Sequence, residues 1–204
     1  MATDTTADRI IESALALFLD VGVKKTGIAD VAYRAGLTRV TVYRHYGNKR
    51  GLIQAVCARL AAIYQQAADE GPDDSTEGID RRLNRLGQEM RALPPGNLLA
   101  RLEEIHRLYP DVYDGFRQAR QSAIDRIAQQ SLQAAQREQS LREGLNLEVT
   151  RAIFLAAVFG VLEDSQLIST NVSPADLCAT VTTIFRHGIL KESTGASNAV
   201  PRQA

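Results

Sequence analysis

The sequence predicts an all-α protein of about nine helices, arranged as a small N-terminal three-helix unit and a larger C-terminal helical unit. Three observations carry this expectation. Alanine, leucine, glutamine and arginine are abundant, whereas aromatics make up 5% of the 204 residues and tryptophan is absent, a balance that favours helix over strand. Apolar residues recur at helical spacing in one segment after another. No stretch combines period-two alternation with hairpin turn residues. Hydrophobic residues make up 45% of the chain, enough to form a packed core.

The first helix is expected from about Ala7 to Asp20, with Ile10, Ile11, Ala14, Leu15 and Phe18 in register and Gly22 placed to stop it. Ile28, Val31, Ala32 and Ala35 then mark two helical turns. Gly36 suits a left-handed turn, and Leu37 returns to the core. Thr38 is placed to cap a third helix over Arg39 to Tyr46. On it Val42 and Tyr46 share one face, which points them to the core, while Val40, Thr41, Tyr43 and Arg44 lie on the sides and back. Asn48 caps a longer helix over about 49–68, with Leu52, Val56, Leu60 and Ile63 on one stripe.

The segment DEGPDDSTEG, residues 69–78, is the main break in composition and the expected joint between the two units. Asp74 and Glu77 have the spacing of a capping box. Ile79, Leu83, Leu86, Met90 and Leu93 form the seam of the following helix, which PPG at 94–96 ends. Leu98, Leu102 and Ile105 mark a short helix stopping before Pro110, and a long one follows over about 111–138. From Leu147 to about Ile168 apolar residues cover most of the circumference, so that helix needs neighbours on two sides. Ser173 and Pro174 begin the last helix. The division expected is therefore 1–50, linked by the helix over 49–68 to 51–190, with 191–204 as a disordered tail.

A net charge of zero conceals an asymmetry. Residues 21–60 hold eight basic side chains (Lys24, Lys25, Arg34, Arg39, Arg44, Lys49, Arg50 and Arg59) against Asp30 alone, so this segment is +7 and the rest of the chain −7. A basic block on a neutral chain points to a polyanionic partner held at one end. Two short helices joined by a glycine turn, the second displaying basic and aromatic groups, make a helix-turn-helix. Such a helix fits the major groove of duplex DNA with its N-terminal residues at the base edges. Arg39 can pair with guanine, Val40 can touch a thymine methyl, and Thr41 can serve a base or a phosphate. Tyr43, His45 and Lys49 suit phosphate oxygens, Arg44 a base or backbone contact, and Thr26 either a helix cap or a phosphate.

Other chemistries are poorly supplied. There is no Gly-rich phosphate loop, nucleophile elbow or HExxH motif, so neither catalytic nor metal-binding residues nor a cofactor are expected. Glu103 and His106 have the ExxH spacing of carboxylate-bridged metal bundles, but the motif lacks its second copy. Cys57 and Cys178 form no disulfide framework and read as small buried apolar groups. The first residues lack the basic flank of a signal peptide, and AIFLAAVFGVL at 152–162 is too short for a bilayer, so a soluble cytoplasmic protein without membrane contact is expected. The alternative is a helical ligand- or metal-binding protein or enzyme whose helix-turn-helix serves packing alone.

The run ALALFLDVGVKKTGIADVAYRAGLTRVTVYRHYGNKRGLIQAV resembles the N-terminal DNA-binding domain of TetR/AcrR-type transcriptional regulators, above all in Thr41 to Tyr46 followed by Asn48 and Lys49. Tyr46 stands where that family commonly has phenylalanine, and Gly27 where it often has a second threonine. The resemblance implies a homodimer on a palindromic operator in double-stranded DNA, built largely from the last two helices and released by a small-molecule effector. On that reading the interface falls to Ile153, Ala157, Val161, Leu177, Val181, Ile184 and Phe185. For the effector, expected to be largely apolar, the candidate lining residues are Met90, Leu102, His106, Tyr113, Phe116 and Phe154.

Overall fold

A computed structural model describes residues 5–69, 73–170 and 172–191, so the expected tail, apart from Lys191, lies outside the described residues. Ten helices make up the described chain: α1 (Thr6–Val21), α2 (Ile28–Arg34), α3 (Arg39–Tyr46), α4 (Lys49–Ala68), α5 (Thr76–Arg91), α6 (Leu98–Leu108), α7 (Pro110–Arg137), α8 (Leu147–Glu163), α9 (Ser165–Ser169) and α10 (Pro174–Ile189). The tenth helix corrects the sequence reading. The helix expected to reach Ile168 stops at Glu163, because the Asp164 carboxylate accepts the N–H groups of Gln166 and Leu167 at 2.9 Å and restarts the chain as α9.

Local chemistry sets the N-terminal unit. Thr5 and Asp8 form a reciprocal capping box at the start of α1. At the end of α2, Gly36 takes φ +65°, the Leu37 N–H reaches the Ala32 carbonyl at 2.9 Å and the Gly36 N–H reaches Tyr33 at 3.1 Å. This Schellman closure turns the chain sharply into α3 and needs a residue without a Cβ penalty. The hydroxyl of Thr38 accepts from the Thr41 N–H and the Asn48 side chain from the Gly51 N–H, so α3 and α4 begin where capping chemistry predicts. Phe18, Val31, Val42 and Leu52 are buried together. The Tyr46 hydroxyl, an addition relative to phenylalanine, donates to the Ala7 carbonyl at 3.1 Å and fastens α3 to α1.

α4 leaves this unit and packs along α7, which at 28 residues is about 42 Å long and forms the spine of the larger unit. α5, α6 and α8 flank that pair, and α10 packs on α5 and α8. Ser75, not Asp74, caps α5, accepting from the Gly78 N–H at 3.1 Å. The Glu138 carboxylate at the end of α7 accepts the N–H and hydroxyl of Thr76, placing a negative charge at the N-terminus of α5. Gln130 donates to the Ala68 carbonyl at 3.0 Å and Arg137 to that of Asp74 at 2.9 Å. The expected joint is thus fastened to α7 on both sides of residues 70–72. No described helix is long and apolar enough to cross a membrane.

Candidate nucleic-acid interface and ligand cavities

The burial of Val42 and the partial burial of Tyr46 fix which way α3 faces. With those side chains held inward, Arg39, Val40, Tyr43, Arg44 and His45 all stand on the exposed side. Val40 is 75% exposed, and its neighbours on that side are cationic or aromatic. Thr41 is half-buried, with its hydroxyl 3.0 Å from that of Thr38. Among the described residues only Arg50 of the eight basic side chains in residues 21–60 closes an ion pair, with Asp111 at the start of α7. The others keep their charge uncompensated on the protein, as a surface awaiting phosphate requires.

Two expected members behave differently from the rest. Lys49 is half-buried and donates to the Lys24 carbonyl at 3.2 Å, and burial lowers its pKa against the pull of Glu104 and Asp30. It still sits at the N-terminus of α4, beside the end of α3. Thr26 is a correction. Its side chain is buried and its hydroxyl donates to the Gly22 carbonyl at 2.7 Å, while Gly27 takes the cap position of α2. The hydroxyl therefore braces the turn between α1 and α2 and is not offered to a phosphate. Tyr33 on α2, 89% exposed, is an addition that sequence reasoning passed over. The signal was present, since Tyr33 lies off the stripe formed by Ile28, Val31 and Ala32.

The six residues expected to line a ligand pocket do not meet in one cavity. Leu102, His106 and Tyr113 share a cavity of about 260 Å³ between α6, α7 and the α8–α9 corner, together with Leu99, Glu103, Arg117, Arg120, Leu162, Glu163 and Ile168. Met90 faces a separate cavity with Tyr64 and Cys178, Phe116 a groove between α4 and α7, and Phe154 a narrow cleft against α10. In the shared cavity the His106 and Tyr113 rings stack at 4.5 Å and 20°, giving it a flat wall. Glu103 lies 3.7 Å from His106 Nδ1. Burial raises the pKa of the Cys57 thiol to about 12 and of Cys178 to about 11, which leaves neither acidified.

The expected interface residues also divide. Ile153 and Ile184 are 58% and 69% exposed and face outward, with Val149, Ala156, Gly160 and Gly188 at helical spacing beside them. Ala157, Val161, Leu177 and Val181 are half-buried, and Leu177 and Val181 pack against the core. Phe185 turns inward, its ring 5.1 Å from that of Phe154.

A link between the cavity and the N-terminal unit runs through α6. The Glu104 carboxylate accepts the Val23 N–H at 3.0 Å and the Lys24 N–H at 2.8 Å, and Arg101 lies 3.2 Å away. Burial pushes its pKa up, but the two amides and Arg101 outweigh that and hold it below the ordinary carboxylate value. One helix thus lines the cavity with Leu102, Glu103 and His106 and grips the α1–α2 turn with Glu104.

Comparison with known proteins places these features. Residues 10–56 match the bacterial regulatory proteins of the tetR family. The HTH-type transcriptional regulator TtgR of Pseudomonas putida is 32% identical over 123 residues, 58% of this chain and 59% of TtgR. An uncharacterized HTH-type transcriptional regulator of Mycobacterium bovis is 24% identical over 180 residues, 87% of this chain and 90% of its own. Among solved structures SmeT, the repressor of the Stenotrophomonas maltophilia multidrug efflux pump SmeDEF, superposes with a TM-score of 0.60 at 20% identity, covering 98% of both chains. The matched segment runs from within α1 into α4, and the fold of the whole chain is similar to that of SmeT, so the N-terminal unit resembles the helix-turn-helix unit of tetR-family regulators.

Proposed function

We propose that the chain acts as a homodimeric repressor that binds a palindromic operator in double-stranded DNA and leaves it when a small molecule enters the larger unit. Residues 1–50 read the DNA, and residues 51–190 hold the ligand and the dimer contact. The observation that carries this reading is the coincidence of the uncompensated basic surface with the exposed side of α3. Arg39, Val40 and Thr41 at the N-terminal end of α3 reach base edges, while Tyr43, Arg44, His45 and Lys49 meet the phosphates.

The outward face of α8 and α10 supports the dimer. Among the described residues nothing covers Ile153 and Ile184, and a second copy of the same two helices buries both in a four-helix arrangement. A structure of SmeT in complex with triclosan, with a TM-score of 0.58 to this chain at 19% identity, supports a small-molecule effector. The cavity around His106 and Tyr113 is our choice for its site, because it is bounded by α6. A dimer reads successive major-groove faces only with its heads about 34–36 Å apart. A shift of α6, passed through Glu104 to the α1–α2 turn, moves each head and spoils that spacing.

In-vitro selection from random duplex DNA with the full-length protein tests the reading. Enrichment of an inverted repeat with half-sites one helical turn apart is the expected result. Failure to enrich any sequence overturns specific DNA recognition and leaves the helix-turn-helix as a packing element.

A further inference from the structure

Arg120 is the most deeply buried charged side chain described here, 1% exposed in the middle of α7. Its guanidinium lies 5.4 Å from the centre of the Phe116 ring and lines the cavity of His106 and Tyr113. A buried cation is costly unless it is closely paired and fully hydrogen-bonded, and Arg120 has one long ion pair and an unsatisfied Nε. Its Nε finds no hydrogen-bond partner, and its Nη2 reaches the Glu163 carboxylate only at 3.5 Å. Nε and Nη2 form the edge of a guanidinium that a carboxylate grips with two parallel bonds. Glu163, 46% exposed, is free to withdraw into water, whereas Arg120 cannot follow it.

We infer that the effector of this protein is an organic acid, whose carboxylate binds the Nε–Nη2 edge of Arg120 in place of Glu163 while its apolar or aromatic body lies against the stacked His106–Tyr113 wall. The cavity suits this split. Leu102, Leu162 and Ile168 supply apolar lining, and Arg120 is the one wholly buried cation on it. An acid completes the half-bonded edge of Arg120, and a neutral ligand of the same shape leaves it as it is, so the site discriminates for the charge. Glu163 is the last residue of α8, one of the two helices assigned to the dimer, and its displacement gives the acid a direct hold on that helix. The inference rests on the proposed ligand-responsive reading for its consequence, but not for the binding itself.

The test uses full-length protein with benzoate, phenylacetate and 1-naphthaleneacetate, each beside its neutral amide, in isothermal titration and in release of the selected duplex. The expected result is that at least one acid binds tenfold or more tightly than its amide. Arg120→Met loses that preference while remaining a dimer that binds DNA. Glu163→Gln, which removes the competing carboxylate without touching the core, binds the same acid about three- to tenfold more tightly. The inference is overturned if all three acids fail to bind, if amides bind as well as acids, or if Glu163→Gln weakens acid binding. Acid binding that leaves the duplex in place supports the site and contradicts only the proposed coupling to DNA. An Arg120→Met protein that does not fold leaves Glu163→Gln and the acid–amide pairs to decide.

Discussion

Replacing Glu104 tests how the DNA-reading unit is joined to the rest of the chain. Its carboxylate accepts two backbone N–H groups from Val23 and Lys24 across the junction. Hydrogen bonds to a charged acceptor contribute about 1.5–3 kcal/mol each, and an unsatisfied buried donor costs about 1–3 kcal/mol. Val23 is fully buried, so its amide has no replacement partner in Glu104→Ala, whereas exposed Lys24 regains water. Glu104→Ala is therefore expected to destabilise by about 2–4 kcal/mol, lowering Tm by about 5–15 °C at this chain length. Glu104→Gln keeps one acceptor oxygen and costs about half as much. Calorimetry measures the loss, and amide hydrogen exchange locates it at Val23 and Lys24. Because the carboxylate is held below its ordinary pKa, its contribution is present above the unfolded value of about 4.3 and fades as pH falls through the folded value. The gap between wild type and Glu104→Gln should therefore close on acidification. A Glu104→Ala protein within 0.5 kcal/mol of wild type (about the scatter of surface substitutions), with unchanged exchange at both amides, would refute the clamp.

The recognition surface and the dimer face yield further expectations. Arg39→Ala should relax discrimination at one base pair per half-site by about 1–3 kcal/mol, seen as a changed selected consensus, whereas Tyr43→Phe should weaken all duplexes alike. Ile184→Asp puts a charge in the middle of the outward face of α10 and should give a folded monomer by sedimentation; an unchanged dimer would remove that face from the interface. Gly51→Ala sets a Cβ 2.1 Å from the Tyr46 carbonyl oxygen and should cost about 2–4 kcal/mol by forcing α3 away from α4. Normal stability in that variant would show that the turn between the two helices yields freely.

The N-terminal unit was largely legible because its boundaries are written in short-range chemistry. Thr38 and Asn48 cap the helices they precede, and Arg39–Tyr46 and Lys49–Ala68 begin and end as the residues indicate. The inward pair Val42 and Tyr46 settles which side of α3 is free, so the exposed side of that helix follows from helical spacing alone. Thr26 was misread because a hydroxyl beside a helix start suits a cap, a phosphate or a carbonyl equally well, and only the approach of Gly22 decides. Beyond residue 69 the difficulty lies in rotation. Apolar stripes on α5 to α8 show that helices pack, but not which neighbour each residue meets, so six plausible cavity residues fall into four places. Arg120 passed unnoticed for the same reason. In sequence it is one of several arginines on α7, like Arg117 and Arg126, and only the packing of α8 makes it a buried cation. The break at Asp164 falls in the short polar stretch 163–166 between apolar residues, which carries no glycine or proline, and the capping role of the aspartate was passed over.

On the proposed function, the charge on α3 and its flanks meets DNA phosphates in a dimer. Affinity of the full-length protein for its selected duplex, measured from 50 to 300 mM salt, tests that most directly. Each neutralised phosphate contributes a slope of about −0.9 in log affinity against log salt. Arg44 and Lys49, with Lys24, Lys25 and Arg34 nearby, give at least four cationic phosphate contacts per head, so two heads predict a slope of about −7 or steeper. A slope shallower than about −3, or one unchanged in Lys49→Ala, would contradict the account.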